Sequence, residues 1–182
     1  MAGIATQRPA LMASESLELR LRRIEACESI RRLIATYAIG ADRRNDPAIL
    51  GPLFSADAIW EAEGIARLVG RRAIADGLAE LADEFVTWSL HYMVSPLIDV
   101  DGSAQTASCR WYLWELCTMK QDGGAWADTW YGGWYDSRLS AHEGIWLFDW
   151  VRLDPRLSSP SGAPWTGKAS DRPSRPPALQ RN

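Results

Sequence analysis

The chain has 182 residues, of which 47% are hydrophobic and 24% charged, the balance of one ordinary globular domain. Its formal net charge of −3 argues against a nucleic-acid-binding surface, and no stretch has the ~18 apolar residues of a membrane span. The three cysteines lack zinc-site spacing and no apolar leader is present, which predicts a reduced, cytoplasmic protein. Ten Trp against three Phe predict a broad aromatic wall.

Three helices are predicted in the first half of the chain. Residues 1–13 show no periodicity and are predicted to form a mobile lead-in. After a serine cap, apolar residues recur at helical spacing as far as Asp42, which predicts one long amphipathic helix. A short helix starts at Pro47, since proline suits the first helical position. A third helix follows Gly70 and carries an apolar face as far as Phe85.

Strands dominate the rest of the chain. One strand is predicted early, and a four-stranded meander follows the third helix. The predicted strands are 57–63, 88–100, 106–119, 126–139 and 145–153. Because helices and strands are segregated along the chain, the fold class is α+β, with the helices on one face of a curved, mainly antiparallel sheet.

Side-chain alternation predicts which residues share a sheet face. In the strand 106–119, Trp111 and Glu115 lie on one face and Trp114 on the other. Aromatic residues on both faces indicate that helices cover one face and a partner subunit or a ligand covers the other. Gly132-Gly133 predicts a bulge or bend. The last strand is predicted to place four side chains in phase: Trp146, Phe148, Trp150 and Arg152.

Residues 156–182 differ in composition, with many Pro and Ser and few large apolar groups. They are predicted to form a tail without a core, which leaves residues 14–155 as the folded domain. An alternative is that Trp165 anchors this tail over a pocket mouth or on a neighbouring subunit.

Two titratable residues, His91 and Asp42, are the main candidates for chemistry. His91 lies in an apolar strand, where it is either a satisfied core residue or a functional group. Asp42 ends the long helix, where the helix dipole disfavours a carboxylate, so it either pairs with nearby arginines or orients an imidazole. An Asp–His pair is a workable general base. The spacing of 49 residues leaves open whether the two side chains meet.

Three further residues are candidates for a pocket. Tyr37 is either a core tyrosine or a hydrogen-bond donor to a substrate. Glu115 lies in mid-strand and needs a partner such as Arg110 or Arg138, because an unpaired buried carboxylate is costly. Arg152 is either a rim charge or a binder of an anionic or carbonyl group. No nucleophile elbow, phosphate loop, dinucleotide motif or metal-ligand set occurs, so neither a cofactor nor a metal is predicted.

Residues 15–155 resemble the SnoaL-like branch of the nuclear-transport-factor-like superfamily. The resemblance rests on residues 30–37, Asp42, residues 53–60 and 70–74, the His91 strand and residues 146–153. It implies a cone-shaped fold, in which a curved mixed sheet wraps around a long N-terminal helix and two shorter helices.

Within that superfamily the chain is most similar to cofactor-free lyases, which include scytalone dehydratase, bile acid 7α-dehydratase and hexachlorocyclohexane dehydrochlorinase. The bile acid enzyme is the most similar of the three in its motifs. Its Tyr-x4-Asp resembles Tyr37 and Asp42, and its strand histidine resembles His91. Its Arg-Trp-Tyr-Leu run resembles residues 110–113, and an acidic residue follows near Glu115.

The resemblance implies a dehydratase or dehydrohalogenase that removes a proton from a cyclic apolar substrate. His91 would be the base, Asp42 its orienting partner and Tyr37 a hydrogen-bond donor. Substrate contacts are then expected from Arg152, Glu115, Trp60, Trp111 and Trp126. One departure is Val94, which stands where some members carry a second histidine.

Other functions remain open on the same scaffold: an isomerase using the same base, a binder of apolar small molecules, or a dioxygenase-type small subunit. The resemblance and the two-sided aromatic sheet also predict a homodimer or homotrimer.

Overall fold

The computed structural model of the protein describes residues 16–162, so the predicted lead-in at 1–13 lies outside the described residues. The described part contains α1 (Leu17–Asp42), α2 (Pro47–Leu50) and α3 (Arg71–Phe85), with a 3-10 turn at Gly51–Leu53. The Ser16 side chain caps α1 by accepting the Leu19 backbone N–H at 3.2 Å. The predicted extent of the long helix and the role of Pro47 are both confirmed.

Six strands form one mixed sheet in the order β2-β1-β6-β5-β4-β3. The strands are β1 (Phe54–Ala62), β2 (Ala66–Val69), β3 (Val86–Val100), β4 (Thr106–Lys120), β5 (Trp126–His142) and β6 (Ile145–Pro160). All neighbours are antiparallel except β1 and β6, which are parallel. The α+β prediction is confirmed. Strand β2 was not predicted from the sequence, because it has only four residues and pairs with one neighbour, β1.

Helix α1 packs against the inner face of the sheet. Its buried side chains include Ile30, Ile34 and Tyr37, at helical spacing. The Tyr37 ring makes edge contacts with Phe54 and Phe148, whose centroids lie 6.2 and 6.0 Å away. Aromatic rings packed in this geometry add to the stabilisation from apolar burial. The core thus holds the C-terminal half of α1 over the sheet, where the candidate residues lie.

A bulge in β6 reverses part of the predicted alternation. Leu139 of β5 pairs with Phe148 and Arg138 with Trp150, so Asp149 is an extra residue in β6. Because one inserted residue exchanges the two faces, Trp150 and Arg152 lie on the outer face while Phe148 lies inside. The prediction that Trp146, Phe148, Trp150 and Arg152 share a face is therefore wrong.

The last strand is longer than predicted. Residues 156–160, predicted to belong to the tail, extend β6 and pair with β5. Pro155 lies at a second bulge, opposite Gly133, and the far side of β6 is unpaired beyond Leu153. A proline is tolerated there because its missing N–H costs no ladder hydrogen bond. The pairing of β5 with β6 shifts at Gly132-Gly133, where a bulge or bend was predicted, but the extra residue, Arg156, lies in β6. Trp165 lies outside the described residues.

Candidate active site

A cavity of about 370 Å³ lies between the helices and the inner face of the sheet. This volume is at the small end of the range for small-molecule sites. Its apolar lining includes Trp60, Leu78, Phe85, Met119 and Leu153. The polar side chains on its wall are Asn45, Ser89, His91, Glu115 and three tyrosines, Tyr37, Tyr131 and Tyr135. A few polar groups in an apolar cavity are the usual composition of a ligand site.

Asp42 and His91 meet at the end of α1. The Asp42 Oδ1 accepts the His91 backbone N–H at 2.6 Å and lies 2.9 Å from the ring Nδ1. These two donors offset the unfavourable position of a carboxylate at a helix C-terminus. Since an ionised carboxylate can only accept, Nδ1 carries the proton of the bond and Nε2 is directed away from Asp42.

The turn after α1 keeps Asp42 in this position. Arg44 and Asn45 both adopt positive φ, 62° and 53°, a conformation that ordinary side chains rarely take. Arg44 donates to the carbonyls of Val86 and Thr87, which attaches the turn to the start of β3. The same strand carries His91, so these hydrogen bonds link the turn after Asp42 to the strand that holds its partner His91.

Glu115 lies on the other side of the His91 ring. Its Oε2 is 3.5 Å from Nε2, and the two residues are paired across β3 and β4. Both side chains are nearly buried, with 11% and 9% of their surface exposed. Burial alone lowers the pKa of His91, but the charge of Glu115, with the hydrogen bond that the ring donates to Asp42 and the charge of Asp42, outweighs it and raises that pKa.

Tyr37 belongs to a small hydrogen-bonded network in the cavity wall. Its hydroxyl accepts the indole N–H of Trp60 at 3.0 Å and is also hydrogen-bonded to Tyr135. Burial raises the pKa of Tyr37 to about 12 and that of Tyr135 well above its ordinary value. Both hydroxyls therefore stay protonated near neutral pH.

Tyr131 lines the cavity and was not predicted as a site residue from the sequence. It is the cross-strand partner of Glu115 in β5. Burial, with the charge of Glu115, raises its pKa to about 12. The sequence could have indicated this position. If β4 and β5 form a hairpin centred on Gly123, residues 115 and 131 are at equal distances from the turn and lie opposite each other.

Three of the predicted substrate contacts lie outside this cavity. Trp111 is fully buried beneath it, where its ring stacks on Tyr135 with centroids 5.0 Å apart. Trp126 is 45% exposed at the first position of β5. Arg152 is on the outer face because of the bulge at Asp149, and it lines a separate shallow depression. Trp60 and Glu115 do line the cavity.

Among residues 16–162, no group of three or more His, Cys, Asp or Glu side chains is placed to hold a metal ion. Within the same residues, no helix combines the length and hydropathy needed to cross a membrane.

Residues 22–152 match the SnoaL-like domain model, so the chain belongs to the SnoaL-like family. Solved structures with the same fold include LinA (17% identity, TM-score 0.74) and hexachlorocyclohexane dehydrochlorinase LinA-type3 from Novosphingobium barchaimii LL02 (19%, TM-score 0.72). Another is a candidate scytalone dehydratase from Novosphingobium aromaticivorans (21%, TM-score 0.63). Each alignment covers 82% of this chain and 99% of the other. A search of curated protein sequences finds no significant match.

Proposed function

We propose that the protein is a cofactor-independent lyase that removes a proton from a cyclic, largely apolar substrate. The observation that supports this most directly is the 2.9 Å contact between Asp42 and the Nδ1 of His91 at the wall of the apolar cavity. A carboxylate on Nδ1 sets the tautomer and stabilises the imidazolium that forms when Nε2 takes a proton. The names of the dehydrochlorinase and dehydratase neighbours are consistent with this chemistry.

The proposed reaction is a 1,2-elimination. The Nε2 of His91 takes a proton from carbon, the C–H electron pair becomes a double bond, and the group on the adjacent carbon departs. An imidazole base is too weak for an unactivated C–H bond, so the proton is taken from a carbon next to a carbonyl or an electronegative substituent. The Tyr37 hydroxyl oxygen accepts the indole N–H of Trp60, and its own O–H donates a hydrogen bond to a substrate oxygen or to the leaving group.

Product mass tests the proposed function. We expect the purified protein to convert 3-hydroxy-1-tetralone to 1-naphthol with loss of water, or γ-hexachlorocyclohexane to a pentachlorocyclohexene with loss of HCl. A product of unchanged mass from a β,γ-unsaturated ketone would favour an isomerase. Binding of these compounds without any conversion would favour a binding protein, and both results would contradict the lyase.

The rate should increase with pH through the pKa of His91, because the base must be neutral to accept a proton. Since that pKa is raised, the pH profile of kcat/KM should have its acid limb, the range in which the rate increases with pH, centred above pH 6.5. Glu115→Gln removes one of the two charges that raise it, so the limb should move to lower pH. Glu80→Gln, at an exposed position on α3, should leave the limb in place. An unmoved or higher limb in Glu115→Gln would contradict the assignment of His91 as base.

We also propose that the protein is a homodimer or homotrimer that buries the outer face of its sheet. Tyr92, Tyr112 and Trp114 are 47%, 53% and 41% exposed there, and Val94 extends the same apolar patch. Light scattering coupled to size exclusion should give the mass of two or three chains. The double variant Tyr92→Glu/Tyr112→Glu should dissociate, while Arg72→Glu, at an exposed position on α3, should not. A monomeric wild-type protein would contradict the assembly.

A further inference from the structure

The turn that follows α1 holds an arginine in an unfavourable backbone conformation. Arg44 has φ 62° and its neighbour Asn45 has φ 53°, both in the left-handed region. Asparagine tolerates this region because its short side chain bonds locally, and glycine enters it without steric cost, but arginine has neither advantage. A left-handed arginine therefore persists only where other contacts hold it, and residues of this kind cluster at functional sites.

The side chain of Arg44 makes the contacts that hold it. Its Nη1 donates to the backbone carbonyls of Val86 at 2.8 Å and Thr87 at 3.3 Å, and its Nη2 lies 2.6 Å from Asp83 Oδ1. The Arg44 side chain is largely buried, whereas that of Asp83 is mostly exposed. Because an ion pair to an exposed carboxylate contributes little, the two carbonyl bonds are the main attachment.

These bonds join the two elements that carry Asp42 and His91. Arg44 is two residues beyond Asp42, the last residue of α1, and Val86 is the first residue of β3, which carries His91. The Asp42 carboxylate reaches the His91 backbone N–H at 2.6 Å and the ring Nδ1 at 2.9 Å. Both bonds require the end of α1 to keep a fixed position relative to β3.

We propose that Arg44 is a positioning residue for the base: by bonding to the start of β3 it holds Asp42 against the His91 ring, which keeps the ring proton on Nδ1 and leaves Nε2 free to accept a proton. Arg44 does not line the cavity, so it acts through Asp42. Its effect on turnover rests on the lyase function proposed above. Its effect on the ring tautomer does not, because the tautomer can be observed without a substrate.

Four variants separate this role from general effects of charge or stability. Arg44→Gly removes the side chain and fits the positive φ better than arginine does, so the turn itself should persist. Arg44→Lys keeps the charge but reaches fewer of the acceptors, because an ammonium group lacks the fork of a guanidinium. Asp83→Asn removes the charge of the exposed ion pair and leaves both carbonyl bonds in place. Arg72→Ala removes a fully exposed arginine of α3 and controls for the loss of one positive charge.

The ring nitrogen resonances of 15N-labelled protein test the proposal without turnover. The chain has two histidines, so His142 provides a reference in the same spectrum. Above its pKa, wild-type His91 should carry its proton on Nδ1, whereas Arg44→Gly should shift toward the Nε2–H form that free imidazole prefers. The pKa of His91 should fall in Arg44→Gly, because the bond to Asp42 that raises it is weakened. Loss of the arginine charge alone would raise that pKa, so the direction of the shift separates positioning from a simple charge effect.

The controls and the kinetics complete the test. Arg44→Lys should lie between wild type and Arg44→Gly, and it gives the same comparison if Arg44→Gly does not fold. Asp83→Asn and Arg72→Ala should match wild type in tautomer and pKa. With any probe that wild-type protein converts, Arg44→Gly should lower kcat by about 10- to 100-fold and change KM little, as expected when a catalytic group is slightly displaced.

Two results would overturn the inference. One is a wild-type tautomer and an unchanged or raised His91 pKa in folded Arg44→Gly, and the other is an equal change in Arg72→Ala. If the wild-type protein converts no probe at all, the lyase function fails instead. The NMR comparison then still decides whether Arg44 positions Asp42 against His91.

Discussion

Replacement of His91 by alanine should lower the turnover of any probe that the wild-type protein converts by about 10²–10⁴-fold, the usual contribution of one general base. The fold should survive, because the His91 backbone N–H keeps its bond to Asp42 and the lost ring faces a cavity rather than the packed core. The loss should appear in kcat, since the ring contributes mainly to the proton-transfer step. Steady-state kinetics with circular dichroism would measure both properties.

The other described histidine provides a matched control. His142 is about half exposed at the end of β5, where its Nε2 lies 2.8 Å from the Ser140 hydroxyl and 3.8 Å from an Asp149 carboxylate oxygen. His142→Ala should therefore keep wild-type turnover and wild-type stability. Full turnover by His91→Ala, or equal losses in the two variants, would rule out His91 as the base.

Trp111→Ala should reduce the free energy of unfolding by about 3–5 kcal/mol, the usual cost of truncating a buried tryptophan. Trp111 is fully buried, stacks on Tyr135 and contacts Phe148 at a centroid distance of 5.7 Å. For a chain of this size, such a loss lowers Tm by roughly 6–20 °C. Urea titration at equilibrium would measure the change. Tyr135 would also lose its stacking partner, so the cavity wall near Tyr37 should loosen.

The milder variant Trp111→Phe separates the contribution of ring packing to stability from that of the indole N–H. The indole Nε1 of Trp111 is buried without a hydrogen-bond acceptor among residues 16–162. An unpaired buried N–H carries a desolvation cost, and phenylalanine removes that cost while keeping part of the ring contact. Trp111→Phe should therefore be clearly more stable than Trp111→Ala. Equal losses from the two substitutions would show that the indole N–H is paired in solution.

The sequence predicted those features that depend on neighbours along the chain. Helix α1 ends at Asp42 as expected, because apolar residues at helical spacing and a serine cap are local signals. The alternation in β4 is likewise confirmed, with Trp111 and Glu115 buried and Trp114 outside. Asp42 and His91 could be named as candidates because a carboxylate at a helix end and a histidine in an apolar strand are locally unusual.

Other features depended on the register between strands. A single extra residue, Asp149, moves Arg152 to the outer face and out of the cavity, and no local pattern marks that bulge. Tyr131 was overlooked because its importance comes from its position opposite Glu115, in another strand. Trp111 was expected in the cavity wall, whereas the packing of Tyr135 over it places it in the core beneath.

The amino-acid sequence was thus sufficient for the α+β class, the long helix, the aromatic sheet and the identity of the two main candidates. Only the tertiary structure decided that Asp42 and His91 lie 2.9 Å apart, and that Glu115 and Tyr131 lie next to His91 on the two neighbouring strands. The physical reason is the range of the interactions. Periodicity and capping depend on residues a few positions apart, whereas the site depends on how α1 packs over a sheet whose bulges set the direction of each side chain.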